Sequence, residues 1–369
     1  MLEVTENAAL LQAANNTLRV QLADAGATMT DVGRGYGDVN FGSPIGATPE
    51  SDEMYQAMVE MLEQGTSAAP LAGVPEADPR RAELEHVYKF ALINQDMYSE
   101  TAATGPAIEK QRQALEELGV YRLTDEEISR DLGIDTKLLR SDSGYSAGIY
   151  YDASTQQYIV ANRGTEFTQW NDWENNLKQG LGFTADQYDK AINLAKALGN
   201  RDDVIFTGHS LGGGLASAQA LAVQKEAITF NAAGLSAGTI DRNTLDTSNA
   251  NKLITAYYVQ GEVLSRLQDS PIVDYGLGPV VTVGKNIVAA GNALSDLISG
   301  KSVDTASFGR AYMPEATGSR VEMPAVDLNG EELGMLGRLR NTVALHGMEY
   351  VLMSIAYQRK QLGTGPVGR

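Results

Sequence analysis

The chain has 369 residues, with 29 basic against 47 acidic side chains and a formal net charge of −18. That charge argues against nucleic acid and against steering toward anionic membrane surfaces, and the absence of cysteine excludes disulfides, thiolate metal sites and thiol catalysis. With 43% hydrophobic and 21% charged residues, the composition is that of a globular protein able to bury a large core.

Met1–Asp24 carries neither a basic n-region nor a continuous apolar core, so it does not read as a Sec-type signal. No segment offers about 18 uninterrupted apolar residues. The longest candidate, Leu277–Leu297, is broken by Lys285, Asn286, Asn292 and Asp296. The expectation is a soluble protein, cytoplasmic or exported by a route that reads no N-terminal signal. Leu11, Ala14, Leu18 and Leu22 predict a helix over residues 5–24. The glycines at 33, 35, 37, 42 and 46 lack the G-x-x-x-x-G-K-[ST] spacing of a phosphate cradle and read as a loop. Ser51-Asp52-Glu53 opens a short helix carrying Met54, Met58, Met61 and Leu62, a stripe suited to core or docking. Pro70, Pro75 and Pro79 mark a linker ending near residue 80. Residues 1–80 thus read as an accessory, mainly helical and Gly-rich region suited to docking a protein partner or carrying an export signal. Residues 81–369 read as the main domain.

From Arg81 the pattern changes. Leu84, Val87, Ala91 and Tyr98 predict a long helix, and Thr124-x-x-Glu127 and Thr184-x-x-Gln187 are capping boxes that each open another. The second of these helices ends at Gly199-Asn200. Strand-like runs fall at 147–152, 157–162, 204–207, 227–231 and 253–259. From the second run onward strands and helices largely alternate, which predicts an α/β fold with a mostly parallel sheet covered by helices. The tail, Gly363–Arg369, is expected to be disordered.

The pattern G-x-S-x-G occurs three times, at Gly144–Gly148, Gly208–Gly212 and Gly234–Gly238, in a chain of 38 glycines. Context separates them. Ser146 precedes a strand-like run, the wrong order for a nucleophile elbow. Ser236 follows a strand, but the next residues are polar, and both segments read as turns. Ser210 has a β-rich run before it (Val204 to Thr207) and a small-residue helical stretch after it (Leu215, Ala216, Ala218, Ala220). Strand, tight turn and helix would hold its hydroxyl clear of the sheet, with the N–H of Leu211 facing a developing oxyanion.

A serine needs a base. Of three histidines, His209 adjoins Ser210 and cannot meet its hydroxyl in line, and His86 lies on a helix before all the strands. His346 remains, in a loop after the last strand-like run, where it can reach the carboxyl edge of the sheet. The first carboxylate after the strand Leu253–Val259 is Glu262, the candidate to orient the far nitrogen of His346. Asp269 and Asp274 are the alternatives, and a solvated loop carboxylate is the competing reading of Glu262. A second oxyanion donor is expected at Thr165, in Arg163-Gly164-Thr165 after the strand 157–162. Trp170 and Trp173 suit packing of that loop, and Asp172 suits a helix cap or a pair with Arg163.

These segments resemble the class 3 lipase family. GHSLGGGLA is similar to its elbow, ANRGTEF with NDW to its oxyanion segment, YYVQGEVLSRL to its acid segment and LHGMEYVL to its histidine segment. The resemblance spans roughly residues 85–357 and departs where the family usually has Asp in place of Glu262. It implies an α/β-hydrolase fold, no metal or other cofactor, and hydrolysis of acyl esters in lipids, with transient contact to a membrane or micelle. It separates neither triacylglycerol lipase from phospholipase A1 nor hydrolysis from acyl transfer to an alcohol. A non-catalytic binding module on the same fold is a further alternative. The long interval between Glu262 and His346 carries an apolar insertion near 270–320, which reads equally as a lid over Ser210 or as a helix packed in the core.

Overall fold

The computed structural model describes residues 74–75, 78–98, 106–164, 185–269, 314–327, 329–341 and 344–364. Residues 1–73 and the 270–313 segment, with the expected accessory helix, Gly-rich loop and apolar insertion, lie outside them. So do Thr184 and the tryptophans.

Helix α1 (Pro79–Tyr98) starts at a proline, where the missing N–H would have had no intrahelical acceptor. The Asp78 carboxylate accepts the Arg80 N–H (2.9 Å). Next come α2 (Pro106–Glu117), β1 (Val120–Arg122) and α3 (Asp125–Leu132). The Thr124–Glu127 capping box is formed in both directions, and Gly133 closes α3 in the left-handed region (φ 68°). A 3-10 turn at Thr136–Leu139 leads to β2 (Ala147–Asp152), β3 (Gln157–Asn162), α4 (Ala185–Leu198) and β4 (Val204–His209). The core of the domain is completed by α5 (Leu211–Val223), β5 (Ala227–Phe230), α6 (Ala237–Asn243), α7 (Ala250–Leu253), β6 (Ile254–Val259) and α8 (Val263–Asp269). The C-terminal part holds β7 (Ser319–Met323), α9 (Met335–Arg340), a 3-10 turn at Ala344–His346 and α10 (Met348–Thr364).

The seven described strands form one sheet in the order β1-β2-β3-β4-β5-β6-β7. The β1/β2 and β2/β3 pairs are antiparallel, and β3 through β7 run parallel. The architecture is therefore α/β with a mostly parallel sheet. Side-chain alternation divides the core into two layers. Ile159, Ala161, Ile205, Phe230 and Val259 face α1 and α10, packing against Phe90, Ile93 and Leu352. Ile149, Val160, Phe206 and Ile254 face α4 and α5, packing against Leu194 and Leu215. Each large side chain buried in this way contributes about 1.5–3 kcal/mol.

Three findings differ from the sequence reading. Ser236 does not sit in a simple turn: its hydroxyl accepts the Thr239 N–H (3.1 Å) and caps α6. Gly363 and Thr364 belong to the last helix and not to a frayed tail. Strands β1 and β7 were not expected. They are edge strands, one of three residues and one partly exposed (SRVEM), so neither carries a buried apolar run.

Candidate active site

Strand β4 ends at His209 and α5 begins at Leu211, so one residue makes the turn. That residue is Ser210, at φ 57° and ψ −123°. Such a conformation costs a non-glycine residue on the order of 1–3 kcal/mol and persists only where its surroundings fix it. Here they do. The Ser210 N–H donates to Phe230 O (3.1 Å), and its carbonyl accepts from Gly213, Gly214 and Ala233. The turn also needs two close approaches of backbone. A Cβ on Gly208 would land on the Gly212 carbonyl, and one on Gly212 would land on the Asn162 carbonyl. The flanking glycines let helix and strands meet.

The Ser210 hydroxyl donates to Nε2 of His346 (2.9 Å), and Nδ1–H of His346 donates to Oε2 of Glu262 (2.7 Å). All three are buried, at 6%, 4% and 1% exposure, so the hydrogen bonds compete little with bulk water. Glu262 is not a solvated loop carboxylate. It stands at the C-terminal end of β6, where its oxygens accept the N–H groups of Leu264 (2.8 Å) and Ser265 at the start of α8. A carboxylate so capped cannot rotate away, and it fixes the tautomer of His346 with Nε2 as acceptor.

Asp269 is placed elsewhere, paired with the Arg320 guanidinium, and Asp274 lies outside the described residues. Leu211 is the first residue of α5, so its N–H has no intrahelical acceptor. Thr165 lies outside the described residues. Its neighbour Gly164 is buried against Ser210, where an added Cβ would meet Ser210 Cβ at 3.5 Å and His209 O at 2.7 Å. His86 packs its ring against Phe90 within α1, with centroids 4.9 Å apart.

His209, set aside above as the base, and Asn231 hold the histidine, with Tyr98 behind His209. Nε2–H of His209 donates to the His346 carbonyl (2.6 Å), and the Tyr98 hydroxyl donates to Nδ1 of His209 (2.7 Å). Burial, reinforced by the neighbouring His346, holds the pKa of His209 well below 6.5, so this imidazole stays neutral. Asn231, at the end of β5, donates to the carbonyls of His346 (2.8 Å) and Leu345 (3.2 Å) and accepts from the Val259 N–H (2.9 Å). It adopts φ 42°, which asparagine tolerates better than most residues. Its position at the carboxyl end of a central strand, level with Ser210 and Glu262, is a signal that the sequence did carry. Tyr98 gives none, because its partner is 111 residues away.

Among the described residues no group of three or more His, Asp or Glu side chains converges as a metal site requires, and no helix is long and apolar enough to cross a membrane. The arrangement suits nucleophilic attack on an acyl carbon. Comparison with known proteins agrees. Residues 89–329 match the family of Tle-like phospholipase domains. The extracellular phospholipase A1 of Serratia liquefaciens is 34% identical over 238 residues, which cover 61% of this chain and 69% of that protein. The family match includes Ser210 and Glu262 and stops short of His346, which the geometry joins to both.

Proposed function

This chain belongs to the Tle-like phospholipase family and is a carboxylic-ester hydrolase of lipids, and on that premise we propose that it cleaves the sn-1 acyl ester of phospholipids through an acyl-enzyme on Ser210. His346 takes the proton of Ser210 as the hydroxyl attacks the ester carbonyl. The imidazolium so formed is stabilised by Glu262, while His209 remains neutral beside it. The N–H of Leu211, joined by that of Thr165, stabilises the tetrahedral oxyanion. His346 then protonates the leaving lysophospholipid alcohol, and in the second half-reaction it activates water to release the fatty acid.

The observation that carries this reading is the unbroken hydrogen-bond chain from Ser210 through His346 to Glu262 in a buried site. The choice of phospholipid over triacylglycerol is supported by the family and by the activity in the Serratia relative's name. A mixed-chain phosphatidylcholine tests both parts. The expected products are the sn-1 fatty acid and the 2-acyl lysophospholipid. Release of the sn-2 chain, or turnover of triacylglycerol alone, would contradict the substrate assignment. Transfer to an added alcohol in preference to water would make the enzyme an acyltransferase.

A further inference from the structure

A polar cluster interrupts the apolar layer that faces α4 and α5. Asn162 lies two residues beyond Val160 on β3 and so faces the same layer. Gln219 lies four residues beyond Leu215, on the same stripe of α5. Apolar side chains are the rule at such positions. Both residues are amides instead, at 1% and 0% exposure, and Tyr145 joins them at 2%.

The three side chains close a ring. Asn162 Nδ2 donates to Gln219 Oε1 (2.6 Å), Gln219 Nε2 donates to the Tyr145 hydroxyl (3.4 Å), and that hydroxyl donates to Asn162 Oδ1 (3.2 Å). The second amide hydrogens go to backbone carbonyls, from Asn162 to Thr207 O (3.2 Å) and from Gln219 to Ala191 O (3.0 Å). Carbonyls only accept, so each amide has one orientation. Burial pushes the Tyr145 phenol far above its ordinary pKa, so the hydroxyl keeps the proton that it donates. A satisfied buried ring is directional and stiff, whereas apolar side chains of equal volume would fill the space without fixing a distance.

The ring joins the segments that surround Ser210. Asn162 is the last residue of β3, Thr207 lies on β4 three residues before Ser210, and Gln219 lies on α5, whose first residue is Leu211. The backbones meet there. A Cβ on Gly212 would come within 2.2 Å of Asn162 O and 3.0 Å of Gly164 N, and Gly164 itself packs on Ser210. The strand end thus abuts the first turn of the helix with no side chain between them, and the ring pins both from beneath.

We infer that Asn162, Gln219 and Tyr145 are positioning residues that hold the end of β3, with Gly164, against the start of α5 and so fix the gap beside the Leu211 N–H in which the oxyanion forms; the inference rests on the Ser210 mechanism proposed above. The test compares wild type with Gln219→Leu and Tyr145→Phe on p-nitrophenyl butyrate. Each protein is also titrated with propyl trifluoromethyl ketone. The ketone carbon bonds to Ser210 Oγ, the hydroxyl proton passes to His346, and no group leaves, so the adduct carries an oxyanion in that gap. Gln219→Leu should lower kcat about tenfold to a hundredfold with KM within about twofold of wild type. Tyr145→Phe, which keeps the shortest bond of the ring, should lower kcat roughly threefold to tenfold. In both, ketone affinity should fall by the factor that kcat loses. Circular dichroism confirms folding, and if Gln219→Leu does not fold, Tyr145→Phe decides alone. Unchanged kcat in a folded variant, whatever its Tm, would overturn the inference and leave the ring to the fold. A change confined to KM, or a fall in kcat with ketone affinity intact, would also overturn it. Wild-type hydrolysis by Ser210→Ala would instead sink the mechanism on which the inference rests.

Discussion

Ser210 and His346 reach the same rim by opposite means. The serine is held by its own neighbourhood: a strand before it, a helix after it, and glycines at 208 and 212 that let the backbones touch. The histidine sits in a three-residue 3-10 turn with little local structure to fix it. Its ring is held by Glu262, 84 residues away, and its carbonyl by Asn231 and His209, 115 and 137 residues away. The proposed nucleophile is thus a local device and the proposed base a tertiary one. Damage near the serine should remove chemistry outright, whereas damage around the histidine should loosen it by degrees.

The sharpest break is at the serine. Ser210→Ala should lower kcat by something on the order of 10⁶-fold, and Glu262→Ala by roughly 10⁴-fold, since the imidazole can still act without its orienting acid. Steady-state kinetics on the butyrate ester measures both. Equal losses from the two substitutions would show that the histidine has no independent hold.

That hold is tested next. Asn231→Ala and His209→Gln leave the three side chains of the proposed triad in place and remove one support each from the His346 carbonyl. The expectation is a fall in kcat of roughly tenfold to a hundredfold with little change in KM, because misplacement of the base acts on the chemical step. A change confined to KM would assign these residues to substrate binding.

The same local-against-distant contrast explains what the sequence disclosed. The elbow was readable because strand, glycines and small-residue helix are contiguous, and the capping box at Thr124 because it spans four residues. Helix α1 and strands β2 to β6 carried their own periodicity. Glu262 was singled out by its place after a strand, but its burial by Leu264 and Ser265 was not readable, and a solvated carboxylate competed with it. Asn231 is marked only by its place at the end of a central strand, and Tyr98 and the carbonyl contact of His209 have no local mark, since each acts through chain segments far away. Edge strands β1 and β7 went unseen because their exposure leaves them without an apolar run.

A smaller effect should appear in stability against pH. Burial holds His209 well below 6.5, and burial together with Lys89 lowers His86. The unfolded chain takes up protons at these histidines near their ordinary value, and the folded chain does not. Stability should therefore fall as pH drops below about 6.5, and continue to fall until the folded-state pKa values are passed. Tm measured from pH 7.5 downward should show this slope, and His209→Gln should flatten it. Removing the partly exposed Asp269–Arg320 pair with Asp269→Asn should matter least, at no more than about 1 kcal/mol by urea denaturation.

The most direct test is covalent labelling with a fluorophosphonate followed by peptide mass mapping. The mechanism requires one adduct, on the peptide containing Ser210, formed far more slowly in His346→Ala. An adduct on another residue, or undiminished lipid hydrolysis by protein in which Ser210 stays unlabelled, would contradict it.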